Sequence, residues 1–149
     1  MDKETGMDIR TREIRLDRDR STHGSFIDAE FVMHIVFSGS FMFQCENEVY
    51  SVRGHDVILM RPNTLHALLD ITGIDMLVIH FFERSQYLDG LDFPFLLHLS
   101  MDKMQPISEL AMKLLSYWDS PSPELKIACD GIVQAIVGLY LHHGHGSAP

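Results

Sequence analysis

Nine histidines are spread through this 149-residue chain, and three of them sit where an imidazole can do chemistry. His34 lies inside the apolar run Phe31-Val32-Met33-His34-Ile35-Val36-Phe37. His66 closes Pro62-Asn63-Thr64-Leu65-His66, and His80 is embedded in Met76-Leu77-Val78-Ile79-His80-Phe81-Phe82. An imidazole nitrogen can ligate a metal or exchange hydrogen bonds with a small molecule, and a catalytic metal needs three protein ligands with one position left open. Three histidines turned into one cavity would make such a site physically possible. A lone histidine on an apolar strand more often donates to a backbone carbonyl as a core residue, and that reading stands beside the ligand reading for His80. Other chemistries lack their parts: the sequence shows no nucleophile with an adjacent base, no Gly-rich phosphate loop and no paired acids.

The elements around these residues change character along the chain. Ile14 and Leu16 alternate with charged residues, which suits an edge strand or an extended arm over residues 1–24. The mixed charges from Arg10 to Arg20 read as a solvated strand. From Phe26 to Phe82 the segments are short and rich in β-branched and aromatic residues. Turn residues separate them at Ser38-Gly39, Glu46-Asn47, Gly54-His55-Asp56, Pro62-Asn63 and Thr72-Gly73, the pattern of a barrel or sandwich over residues 25–85. His55 and Asn63 fall where a left-handed backbone is expected, so both read as turn residues.

Residues 86–105 lose the pattern around Asp89-Gly90 and Pro94 and read as a connecting loop. After Pro106 the period becomes helical, with Ile107, Leu110, Ala111, Leu114, Leu115 and Trp118 on one face. Ser120-Pro121-Ser122-Pro123-Glu124 stops that helix and starts another, from Leu125 to about His142. The second helix is apolar nearly all round and needs cover on more than one face. Residues 106–143 thus form a two-helix segment, and 144–149 a disordered tail whose His145, with His142 and His143, could hold stray metal.

The order of hydrophobic strand, Ser38-Gly39, strand, Asp56-Val57-Ile58-Leu59-Met60, Pro62-Asn63-Thr64-Leu65-His66 and Met76 to Phe82 resembles the amino-terminal cupin domain of AraC-type transcription regulators. The resemblance covers residues 25 to 85 closely and extends more loosely to about 143. It implies a mainly β fold, a cupin-type double-stranded β-helix barrel followed by two C-terminal α-helices. Metal-binding cupins take a His-x-His pair and a glutamate from a first motif and a histidine from a second. His66 matches the second-motif histidine. The first-motif positions fall at Ser25 to Asp28 and at Val32, and none of them is a histidine or glutamate.

Strand parity places His34 with Val32 and Val36 on the face that points inward in the family pattern. The expected ligand pocket is therefore His34, His66 and His80 with Val32, Val36, Met42, Met60 and Phe82, or with Met33 or Phe43 if the register slips by one. No cofactor is expected; a divalent metal, if present, would sit on His34, His66 and His80. The surplus apolar helix face at Leu114, Trp118, Ile132, Ile136 and Leu139 is the expected homodimer seam, the alternative being that these residues only cover the barrel.

Bulk properties bound the function. At 46% hydrophobic and 22% charged residues the composition is that of a soluble globular domain, and no apolar run reaches the roughly 20 residues of a membrane span. The net charge of -9 makes the chain a poor nucleic-acid binder, because phosphate contacts need clustered Lys and Arg. Two distant cysteines, Cys45 and Cys129, fit free thiols in a reducing compartment, and the polar N-terminus does not resemble a secretory signal; a cytoplasmic location is expected. The reading that follows is the effector-sensing and dimerisation domain of an AraC-type regulator rather than an enzyme, with DNA contacted only through a helix-turn-helix domain not contained in this chain. The alternatives are a stand-alone metal-dependent cupin enzyme, of isomerase or dioxygenase type, and a cupin that stores or carries a ligand.

Overall fold

The computed structural model describes residues 6–18 and 24–146. Among the described residues, seven strands and two α-helices follow one another: β1 (Ile9–Arg18), β2 (Gly24–Phe26), β3 (Phe31–Cys45), β4 (Glu48–Arg53), β5 (Asp56–Met60), β6 (His66–Glu83), β7 (Leu96–His98), α1 (Met101–Trp118) and α2 (Pro123–Gly146). The order in the sheet is β1-β6-β3-β5-β7, with β2 paired to β6 and β4 to β3, and every pairing is antiparallel. β3 and β6 are the spine, paired from Phe31 opposite Phe81 to Cys45 opposite His66. The barrel-plus-two-helix architecture expected from the sequence is the one observed.

Ser38-Gly39 and Thr72-Gly73 are not chain reversals. Each lies inside one long strand, where three register shifts between Val36 and Met42 bend the β3–β6 ribbon. Both glycines have positive φ, 88° at Gly39 and 56° at Gly73. A Cβ on Gly39 would stand 2.3 Å from the Gly73 carbonyl oxygen, so the bend depends on two backbones meeting without a side chain between them. The bend also resets strand parity. Before it the even residues Val32, His34 and Val36 point into the barrel; after it the odd residues Phe41, Phe43 and Cys45 do, and Met42 is only partly buried. His55 and Asn63 occupy the left-handed region expected of them, with φ of 76° and 62°.

Two cores lie on opposite faces of the spine. The inner one fills the barrel with Val36, Phe41, Phe43, Ile58, Met60 and Met76 among others. The outer one joins Phe31, Met33 and Ile35 of β3 and Leu77, Ile79 and Phe81 of β6 to the helices.

The helices differ from expectation at both ends. α1 starts at Met101, five residues before Pro106, because Met104 extends the buried stripe of Ile107, Ala111 and Leu114 by one turn. The expected 86–105 loop therefore contains a 3-10 turn at Leu88–Gly90, strand β7 and the first turn of α1. α2 continues to Gly146 rather than ending near His142. Gly144 is buried against Pro94, and a Cβ there would meet the proline ring at 3.2 Å. Of the expected disordered tail, residues 147–149 lie outside the described part.

By length and composition Pro123–His145 could cross a membrane, contrary to the expectation from apolar runs. Its inner face, Cys129, Val133, Ile136, Val137 and Tyr140, is nonetheless buried in the outer core. Tyr140 donates its hydroxyl to the Pro94 carbonyl at 2.6 Å, which satisfies the one polar atom that side chain takes inside.

Candidate functional site

A cavity of about 250 Å³ opens where the register of β3 and β6 sets histidines among aliphatic side chains. Val32 is opposite His80 and His34 is opposite Val78, so each strand supplies one imidazole and one valine in a diagonal pattern. His66 and Leu68 enter from the start of β6, and Phe26 from β2. The three predicted histidines thus line one cavity, and all three are buried. The ring centroids of His34 and His66 are 6.3 Å apart, and Phe43 lies 6.3 Å from His34 and 5.6 Å from His66.

The hydrogen-bond partners fix the donor and acceptor nitrogens of two of the rings. His66 Nδ1 is 3.1 Å from the Thr64 carbonyl oxygen, which only accepts, so Nδ1 donates and, in the neutral tautomer, Nε2 is the acceptor. His80 Nε2 is 3.1 Å from Arg15 Nη1, which only donates, so here Nε2 accepts and the proton stands on Nδ1, 3.4 Å from Glu30 Oε2. Burial holds the His80 imidazole below its ordinary pKa. Asp28 pulls it up, while Arg15 and Arg12 add to the depression. His80 is therefore a polar residue of the cavity wall rather than a core histidine bonded to a backbone carbonyl.

Several expected pocket residues lie elsewhere. Val36 and Met60 belong to the barrel core away from the cavity, and Met42 was displaced by the parity reset, which brings Phe43 inside instead. Phe82 is 42% exposed, because its neighbour Phe81 takes the inward position of the outer core. It borders a larger groove of about 430 Å³ with Arg10, Pro62, Glu83 and Arg84. The polar centre of that groove is already engaged: Glu83 accepts from the amides of Asp8, Ser85 and Leu88 and from the Ser85 hydroxyl. Burial pushes the Glu83 carboxyl up, but these bonds outweigh it and hold the group below its ordinary pKa.

The cavity wall also contains residues that the sequence reading left out of the pocket. Arg12, Glu13 and Arg15 of β1 and Asp28 of the β2–β3 link face it. β1 is an edge strand as expected, but a bulge between Thr11 and Glu13 inserts Arg12, so that Arg12 and Arg15, three apart, share a side. Arg12 donates from Nε to the buried Glu30 carboxylate. The bulge frees the Thr11 amide from the ladder, and Asp130 of α2 accepts it at 2.8 Å. Arg10 pairs with the other Asp130 oxygen at 3.8 Å. A spacing of three within a period-two strand was the available signal for the bulge, and no partner for it was visible in the local sequence.

The ligand set of a metal-binding cupin does not fit these residues. Only His66 occupies one of its positions; Val32 stands at the glutamate position. His34, His66 and His80 share the cavity without forming a metal-sized cluster. Among the described residues, the group of three ligand atoms close enough for one ion is Asp28, Glu30 and His80.

Of the expected dimer seam, Leu114 and Ile136 are 0% exposed and pack in the outer core, so neither offers a surface to a partner. Trp118, Ile132 and Leu139 are partly buried at its edge. Lys126 covers the Trp118 ring, with its ammonium 3.9 Å from the ring centroid. The outer side of α2 is Ile127, Gly131, Ala135 and Gly138, and Ile127 is 72% exposed.

The bent β3–β6 spine with strands wound on both halves defines a cupin-type double-stranded β-helix barrel. Residues 9–90, more than half of the chain, match the AraC-like ligand binding domain, and the chain belongs to that family. No curated protein matches the sequence. Similar solved structures include a conserved Streptococcus pyogenes protein of unknown function, 21% identical with a TM-score of 0.41, covering 53% of this chain and 76% of that one. Another is a Photorhabdus luminescens protein, 15% identical with a TM-score of 0.42, covering 60% and 85%. A third is a cupin family protein with a double-stranded β-helix fold from Methanocaldococcus jannaschii, 10% identical with a TM-score of 0.40, covering 58% and 88%.

Proposed function

We propose that this chain is the effector-sensing part of an AraC-type transcription regulator, acting in the cytoplasm as a non-enzymatic domain. The observation that carries this reading is the convergence of His34, His66 and His80 on one partly apolar cavity inside the barrel of a ligand-binding family member. In its neutral form the His66 ring offers an acceptor at Nε2, and the wall beside it is Phe26, Val32, Leu68 and Val78, which favours a small molecule with an apolar body and a few polar groups. A catalytic role has less support, since His66 alone fills a metal position of cupin enzymes here.

Effector binding acts by preferring one of two states. The path outward is short: Arg12 reaches into the cavity, its neighbour Thr11 is held by Asp130, and Asp130 belongs to α2. DNA contact falls to a helix-turn-helix domain outside this sequence. Dimerisation falls to the outer side of α2, with Ile127, Ala135 and the flanking Ile132 and Leu139 meeting a second copy. Gly131 and Gly138 leave room for close helix approach, since a Cβ at either would have no neighbour within 4 Å.

Sedimentation of the chain at micromolar concentration tests the seam. A dimer that Ile127→Glu with Ala135→Glu dissociates supports it, and a dimer unchanged by both places the interface elsewhere. For the effector, a thermal-shift screen against a metabolite panel should yield a stabilising ligand whose effect disappears in His34→Ala/His66→Ala. Stabilisation that survives the double substitution removes this cavity as the binding site.

A further inference from the structure

At the wall of the histidine cavity, which Asp28 and His80 line, one carboxylate oxygen each from Asp28 and Glu30 and one ring nitrogen of His80 lie within 4.8 Å of one another. Glu30 and His80 are each only 6% exposed. His80 Nδ1 is buried, points at Glu30 Oε2 across 3.4 Å and makes no hydrogen bond. A buried ring nitrogen left in this way is uncommon and needs an explanation. Two carboxylates beside it also repel unless a cation lies near both. The structure sets a cation against one of the two: Arg12 donates from Nε to Glu30 and lies 3.4 Å from Glu13 through Nη2. It is the inserted residue of an edge-strand bulge and roughly half exposed, so it can leave without disturbing the ladder.

We propose that Asp28, Glu30 and His80 form a binding site for a divalent transition-metal ion, with Arg12 standing in as internal counter-ion when the ion is away. One imidazole with two carboxylates suits Mn²⁺, Fe²⁺ or Zn²⁺ better than thiophilic Cu⁺ or an oxygen-only Ca²⁺ site. It is not the ligand set of metal-binding cupins, which pairs the His66 position with a glutamate at Val32. Binding at Nδ1 moves the ring proton to Nε2. Arg15 must then turn away, and Asp17, already 3.0 Å from Arg15 Nε, is there to hold it. The ion therefore competes with two arginines of β1, and its arrival releases that strand's grip on the cavity wall.

Equilibrium dialysis of the full chain against Zn²⁺ or Mn²⁺ alone tests the site. The expected result is one ion per chain, retained in His142→Ala/His145→Ala and in His66→Ala. Affinity should fall at least tenfold, the lower end of the roughly 10–100-fold range for lost supporting residues, in Asp28→Asn and in His80→Ala. Arg12→Gln should tighten binding about two- to fivefold, the size of a released partly exposed ion pair. Asp28 is only half buried, and circular dichroism of Asp28→Asn checks that the barrel is intact. Binding unchanged by both Asp28→Asn and His80→Ala, or lost with the helix-end histidines, overturns the proposal. The ion site shares His80 and Asp28 with the effector cavity, but the two tests separate: loss of effector stabilisation in His34→Ala/His66→Ala with ion binding intact supports both sites, and absence of ion binding to the unaltered chain overturns the ion site alone.

Discussion

The two faces of β3 carry different work within a few residues of each other. Phe31, Met33 and Ile35 face the helices in a wholly apolar core, while Val32, His34 and Val36 face the barrel, where the middle residue of the three is an imidazole in a cavity. The outer face can be packed densely because every residue on it has an apolar partner across from it. The inner face leaves volume unfilled and lines it with groups that hydrogen-bond. A strand with period two can therefore separate stability from binding without any division of the chain into separate segments.

The largest test of that separation is truncation on the outer face. Leu114→Ala and Ile136→Ala should each cost about 2–5 kcal/mol in denaturant unfolding, because both leave cavities in a closed core. His34→Ala should cost less and should alter ligand binding instead. A second contrast probes the bend in β3. Phe43→Ala should cost about 3–5 kcal/mol, the range for a buried aromatic, and Met42→Ala well below that. Equal losses would mean that the parity reset at Gly39 is misplaced.

The link between the faces should give a smaller effect. Asp130→Ala leaves the Thr11 amide without its acceptor and should cost about 1–3 kcal/mol, with faster amide exchange in β1. Exchange confined to α2 would argue that the bulge is held by something else.

The smallest effect is in pH. The folded pKa of His80 lies below its unfolded value, so between the two the unfolded chain binds more protons and stability rises with pH. The contribution is complete above about pH 7, declines as pH falls through the usual histidine value near 6.5, and levels off below the folded pKa. The slope contributed cannot exceed about 1.4 kcal/mol per pH unit. In chelator-containing buffer, His80→Asn should flatten the stability profile as pH falls below about 7. The Glu83 contribution, lost at lower pH because its folded pKa is depressed below the ordinary carboxylate value, should remain.

Much of the fold was legible because local pattern decides it: alternation from Phe31 to Val36, turn chemistry at His55 and Asn63, and the three-and-four spacing of Ile107, Ala111 and Leu114. What escaped depended on contacts distant in sequence. The Gly39–Gly73 approach turned two expected reversals into bends and exchanged Met42 for Phe43. Met104 started α1 early because the sheet was there to receive it. Leu114 and Ile136 looked like surplus apolar surface only while the second layer of the sheet was unseen. In the site, the histidines were readable from type and position, whereas Arg12 and Arg15 read as solvated charge, and Asp28 and Glu30 had no visible partner, until the β1 bulge and the barrel closed around them.

The most direct measurement is a calorimetric titration of the full chain with the best stabilising ligand from the metabolite screen, repeated on His34→Ala/His66→Ala and on Leu114→Ala at a temperature where each is folded. One site per chain, lost in the histidine pair and retained in Leu114→Ala, is the predicted result. Binding retained in the histidine pair and lost in Leu114→Ala would place the effector on the helical side and contradict the assignment of binding to the inner face.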